Sequence, residues 1–239
     1  MFQLKIHPRK TAFLFLAFVL LLTVLHSIAQ TVLLSTGNRD VMDIARYFDL
    51  DIENNIPSLY SGFALLVSSL LFFCISSLEE KQAGRRRYWL GLAAVFLFLS
   101  LDETFALHER LGNYTEKLIK STEFLEVSGL LYFPWIIPYS ILIIILGLLY
   151  FRFILRLPRK TTVLLILSAI IFLTGAAGFD MLGGREAELH GFYTVTYTVL
   201  FTIEEFLEMI GVVLLIYTLL AYIEQQYGRL CLSLTIQKP

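Results

Sequence analysis

Nine side chains of this sequence have the types and spacing to do chemistry: Asp102, Glu103, His108 and Glu109 in one stretch, Asp180 and His190 in a second, and Glu204, Glu205 and Glu208 in a third. Several carboxylates with one or two histidines form the ligand set of divalent metal centres, both carboxylate-bridged metal pairs and single hydrolytic ions. Asp102, His108, Glu109, Asp180, His190, Glu204 and Glu208 are therefore the candidate ligands of a divalent metal (Zn, Fe or Mn). Glu103 and Glu205, left off the metal, are the candidate catalytic bases. The spacing departs from the Glu-x-x-His pairs of soluble di-metal bundles, since His108 follows Glu103 by five positions and the last stretch reads Glu204-Glu205-x-x-Glu208.

These residues interrupt apolar runs. Six runs are long enough to cross a hydrocarbon core of about 30 Å: 11–34, 58–78, 88–108, 133–155, 161–182 and 193–223. All six are expected to be helices, because lipid offers no partner to an unpaired backbone group. The fold class is thus all-α, a single polytopic transmembrane bundle. A carboxylate inside such a helix costs roughly 2.5–3.5 kcal/mol, so a cluster of them needs a reason.

Counting from the inner helix ends at about 1.5 Å per residue puts Asp102 and Glu208 at a common height of about 21 Å, with Asp180, Glu204 and Glu205 at about 25–27 Å. At about 100° per residue Asp102 and Glu109 share a helix face, whereas Glu103 and His108 point elsewhere unless the helix is distorted. On the last run Glu204, Glu205 and Glu208 form an arc facing one cavity. Gly175 and Gly211 suit close helix approach beside them, and Pro138 is expected to free backbone carbonyls at the same depth. His26 and Glu109 read more simply as an interfacial hydrogen-bonding residue and a solvated helix end.

Composition agrees with a membrane solvent. Of 239 residues 57% are apolar and 16% charged, and the net charge of −1 gives no reason to expect nucleic acid. Thirteen of the nineteen basic residues fall on one side: Lys5, Arg9, Lys10, Lys81, Arg85, Arg86, Arg87, Arg152, Arg156, Arg159, Lys160, Arg229 and Lys238. By the positive-inside rule that side, with both termini, is cytoplasmic, and the acidic cluster faces outward. Ser27-Ile28-Ala29 has the small residues of a signal-peptide cleavage site, but the apolar run continues through Leu34, so a retained helix is expected. Cys74 and Cys231 show no metal-binding spacing and read as packing residues. Segments 39–48 and 114–127 are expected to form short surface helices, and Asp49–Asn54 a solvated acidic turn that lacks the glycine of a calcium loop.

The runs Phe98-Leu99-Ser100-Leu101-Asp102-Glu103 to His108-Glu109, Glu204-Glu205-Phe206-Leu207-Glu208 to Gly211, and Asn55-Ile56-Pro57-Ser58-Leu59-Tyr60 resemble a set of uncharacterised bacterial multi-pass membrane proteins. The resemblance implies the bacterial inner membrane and carries no activity with it. Alkaline ceramidases, which are intramembrane zinc hydrolases, have a paired-histidine motif in a late helix; no HxxxH occurs here. The leading expectation is a divalent-metal enzyme acting on a lipid or isoprenoid that arrives through the bilayer. The alternatives are a proton- or cation-coupled transporter, and a non-catalytic subunit of a homo-oligomer or larger membrane complex, its acids paired with a partner's cations.

Overall fold

The computed structural model describes residues 2–36, 43–79, 83–122, 127–228 and 231–234. Six helices are long and apolar enough to cross a membrane, which makes this a multi-pass membrane protein. They are α1 (Pro8–Thr36), α2 (Ile56–Leu78), α3 (Ala83–Phe105), α5 (Ile136–Ile154), the pair formed by α6 (Arg159–Leu173) and α7 (Asp180–His190), and α8 (Val195–Tyr227). A shorter helix, α4 (Leu107–Thr122), follows α3. An even number of spans returns the chain to its starting side. There β1 (Phe2–Lys5) pairs antiparallel with β2 (Cys231–Leu234), the one departure from an all-helical fold among the described residues.

The central element is α8, with α1, α2, α6 and α7 packed around it and α3 laid along α2. Its residues Val212, Leu215, Ile216, Leu219 and Ile223 are buried against Phe72, Ile75 and Trp89 at the end where the termini lie. At that end, rich in Arg and Lys, buried Glu79 accepts hydrogen bonds from Arg85 Nη2 at 2.5 Å and from the Tyr222 hydroxyl at 3.1 Å. The lipid-facing sides carry exposed Phe13, Phe18, Phe73, Ile144 and Leu148, as expected where hydrocarbon replaces water.

Local chemistry sets the helix limits. α2 opens on a capping box in which Asn55 and Ser58 satisfy each other's backbone groups, with proline in its first turn. The third span was expected to run to His108; it ends at Phe105 because Ala106 takes a left-handed conformation (φ 50°) and the chain restarts as α4 in a new direction. The expected surface helix at 114–127 is thus the later part of a longer one. Within 39–48, residues 43–45 make a helical turn, and the remainder before them lies outside the described residues. Pro138 lies in the first turn of α5, where no intrahelical bond needs its N–H, so the expected freeing of carbonyls does not occur.

Gly211 lets α8 touch α6. A Cβ there would meet the Phe172 backbone nitrogen at 2.8 Å, and Ser168 Oγ donates to the Gly211 carbonyl at 2.8 Å across the same crossing. Gly211→Ala must push two backbones apart, an overpacking that costs about 1–3 kcal/mol. A clear fall in melting temperature in detergent is expected; an unchanged one would mean that the helices separate freely.

Candidate functional site

At the end of the bundle away from the termini, residues 49–55 cross the helix ends. His26 on α1 is fully buried; its Nδ1 accepts from the Leu50 backbone N–H at 3.2 Å and its Nε2 lies 3.1 Å from Thr202 Oγ1. An acceptor Nδ1 puts the proton on Nε2, so His26 is a neutral strut, hydrogen-bonded as expected but buried in the bundle rather than interfacial. Asn55 donates to the carbonyls of Arg46 and Asp49, and Asn54 turns through φ 60°. The acidic turn thereby becomes a fixed part of the site. Asp51 Oδ1 accepts from the Tyr197 hydroxyl at 2.9 Å, and Glu53 Oε1 lies 3.3 Å from His108 Nε2. Glu53 Oε2 is buried without a partner.

The break at Ala106 supplies the distortion that the sequence left open. It folds His108 back over the last turn of α3, so that Asp102 Oδ1 accepts from the His108 backbone N–H at 2.7 Å and lies 3.5 Å from Nδ1. Asp102 Oδ2 accepts from the Tyr139 hydroxyl of α5 at 2.8 Å. Each Asp102 oxygen thus accepts one hydrogen bond, and the carboxylate is held against His108. The face expected to be shared by Asp102 and Glu109 does not exist, because the two sit on different helices.

Deeper in, Gly175 allows α8 to approach so closely that a Cβ would meet the Glu204 carbonyl at 2.6 Å and Glu208 Cγ at 3.0 Å. Gly175 lies in a π-helical stretch, Thr174–Phe179, a local widening common at functional sites. The stretch delivers Asp180, 8% exposed, with Oδ2 lacking a partner. Glu204, Glu205 and Glu208 each offer an oxygen within 4.8 Å of the others, and Glu103 is an electrostatic neighbour of both Glu205 and Glu208. Two unit charges 4.8 Å apart repel by about 3.5 kcal/mol at an effective dielectric near 20. Three such pairs cannot persist unscreened; they must take up protons or a cation. Glu53, His108 and Glu109 form a second group of the same size.

Both groups line one cavity of about 1180 Å³. Its polar end carries Asp51, Glu53, Asp102, Glu103, His108, Glu109, Asp180, Glu204, Glu205 and Glu208, and among the described lining residues there is no Lys or Arg. The rest of the wall is mostly apolar, including Leu92, Phe96, Ile143, Leu146 and Phe172, with Asn113 and Glu116 of α4 and the hydroxyls of Ser140, Tyr150 and Ser168 among the lining side chains.

Of the nine residues chosen from sequence, eight line this cavity and His190 does not. His190 ends α7, where Gly191 turns the chain away, and its exposed ring pairs with Glu186 of its own helix at 3.1 Å. Glu109 sits exposed at the rim. Sequence reasoning missed Asp51, Glu53 and Tyr139. The acids immediately before the α2 capping box were the available sign of the first two; nothing set Tyr139 apart from the other tyrosines.

Burial pushes the Glu53 carboxyl up to about 7, with His108 pulling it down and Glu109 and Asp102 adding to the rise. For His108 burial acts downward, but the hydrogen bond and charge of Asp102, with Glu53, leave it raised. The signs agree. Below its ordinary pKa of 4.5 Glu53 is protonated folded or unfolded, and ionising it in the fold costs stability as pH rises to about 7. The stability that His108 gains from its acids is likewise lost as pH rises through its folded pKa. The metal-free protein should therefore melt at a lower temperature as pH goes from about 5 to about 8, and divalent cation should reverse the drop. A flat profile would argue against this electrostatic arrangement.

A family model, Domain of unknown function (DUF8692), matches residues 12–223, which takes in four spans whole, all but a few end residues of the first and last, and every residue of the cavity's polar end. No curated protein and no solved structure matches the chain.

Proposed function

We propose that this chain, which belongs to the DUF8692 family of unassigned function, is an integral membrane enzyme that uses a divalent metal to act on a lipid-like substrate. One observation carries the reading: a single cavity has an acidic end without basic residues and a mostly apolar remainder. Acids gathered without Lys or Arg call for a cation, and an apolar slot continuous with them suits hydrocarbon.

The deep carboxylates Glu204, Glu205 and Glu208 are the better ligands, being closely spaced, with Glu204 also hydrogen-bonded to Asp180. Glu53, His108 and Glu109 are the second candidate group, its imidazole oriented through Asp102 and Tyr139. Donors so rich in carboxylate suit Mn or Fe at least as well as Zn. Bound metal would polarise a substrate bond or lower the pKa of a water, and Glu103, beside Glu205 and Glu208, is positioned to take the proton. The basic residues at the termini end support an orientation in which this site faces away from the cytoplasm.

A transporter would need polar groups along the rest of the path. Beyond the acids the cavity wall is mostly apolar and carries no further charged group apart from Glu116 on α4, which favours a site open to one side.

The test is elemental analysis of the detergent-purified protein, as isolated and after exposure to Mn, Fe or Zn followed by desalting. About one or two retained equivalents are expected. A folded, monodisperse protein that retains none of the three would sink the reading.

A further inference from the structure

One wall of the cavity is a single helix with lipid behind it. α5 is pinned at its ends, where Ile136 and Phe153 are buried, Phe153 packing on Tyr88 at 4.7 Å and on Trp89 at 5.0 Å between ring centres. No residue between them is buried. Leu142, Ile143, Leu146 and Gly147 line the cavity, while Ile144 and Leu148, 62% and 76% exposed, face outward. From Tyr139, at the acids, to Ile154, at the other end of the lining, the helix rises about 22 Å. That is most of one hydrocarbon core.

The slot has both room and a closed side. A Cβ on Gly147 would meet nothing within 4 Å, whereas one on Gly91 would collide with the Tyr150 hydroxyl, which closes the gap between α3 and α5. The polar end, lined by acids without Lys or Arg, repels an anionic head group and attracts an ammonium.

We propose that the slot beside α5 holds one hydrocarbon chain of a long-chain amphiphile whose head is a cationic amine, reaching the carboxylates from the side of the bilayer. This deepens the enzyme reading and rests on the acidic end being the working end. The chain lies along Leu142, Ile143, Leu146 and Tyr150, and the head meets the acids not occupied by metal. A phosphate-bearing lipid of the same chain length fits the slot and fails at the head. A short-chain amine suits the head and forgoes most of the apolar contact.

The experiment is native mass spectrometry of the full chain in detergent with hexadecylamine, octylamine and hexadecyl phosphate, with metal content measured on the same samples. Hexadecylamine should bind at least tenfold tighter than either of the others. Gly147→Trp, which fills open space, should weaken hexadecylamine at least tenfold with metal content unchanged; if that variant does not fold, Gly147→Leu serves in its place. Equal retention of hexadecyl phosphate would overturn the head-group assignment. Undiminished hexadecylamine binding by the folded variant would overturn the slot. Tight, Gly147-sensitive amine binding by a protein that takes up no metal would uphold this proposal while removing the metal enzyme, so the two fail separately.

Discussion

Glu208→Gln is expected to lower divalent-metal affinity at least about 100-fold while leaving the metal-free protein as stable as the parent or more so. The two effects have one origin. Glu208 lies among Glu204, Glu205, Glu103 and Asp180, so its charge is a cost in the empty site and a gain only when a cation is present. Glutamine keeps the shape where Gly175 packs on the Glu208 side chain, and removes about 3.5 kcal/mol of repulsion for each ionised neighbour near 4.8 Å. Partners that only orient a ligand cost 10–100-fold in metal affinity, and loss of a ligand itself should reach or pass the upper end of that range. Metal retention after desalting and the melting temperature, measured on the same sample, read the two effects apart. A purely structural Glu208 would lower the melting temperature without moving metal content. Unchanged metal content in the folded variant would remove Glu208 from the centre.

The same residues show how far a sequence carries such an argument. Hydropathy located the six spans, because lipid imposes length and composition directly on the chain. One-turn spacing placed Glu204 and Glu208 together, because α8 is a regular helix over that stretch. Regularity is also where the reading stops. Extending α3 through Ala106 as ideal helix put Asp102 beside Glu109 and left His108 pointing away; a left-handed alanine, which no local signal marks, exchanges those partners. The acidic turn at 49–54 looked solvated because its own composition is polar. What fixes it is His26, 24 positions away from Leu50, through a bond that only the folded bundle creates. Tyr139 was invisible for the same reason: its role depends on α5 delivering a hydroxyl to an aspartate 37 positions earlier. The π-helical stretch before Asp180 coincides with the close crossing at Gly175; the glycine was legible and the widened turn was not.

Asp102 and Tyr139 give the second large expectation, and its shape matters as much as its size. Asp102→Asn keeps one oxygen to accept from the His108 backbone, but replaces the other with an amide that cannot accept from the Tyr139 hydroxyl, and it removes the charge beside Nδ1. His108 then loses what fixes its ring toward Glu53, and metal affinity at that group, or turnover once a substrate is in hand, should fall about 10–100-fold. Tyr139→Phe removes one hydrogen bond to Asp102 but leaves the carboxylate, its charge and its bond to the His108 backbone in place. Its effect should be under about tenfold. Because both changes act through one carboxylate, the double variant should be no worse than Asp102→Asn alone, a departure from additivity that independent sites do not show. Metal titrations of the wild type, the two single variants and the double variant would decide the point. Strictly additive losses would mean that Tyr139 acts elsewhere in the cavity, and that His108 owes its orientation to Glu53 and the Trp135 ring, 5.3 Å away, rather than to Asp102.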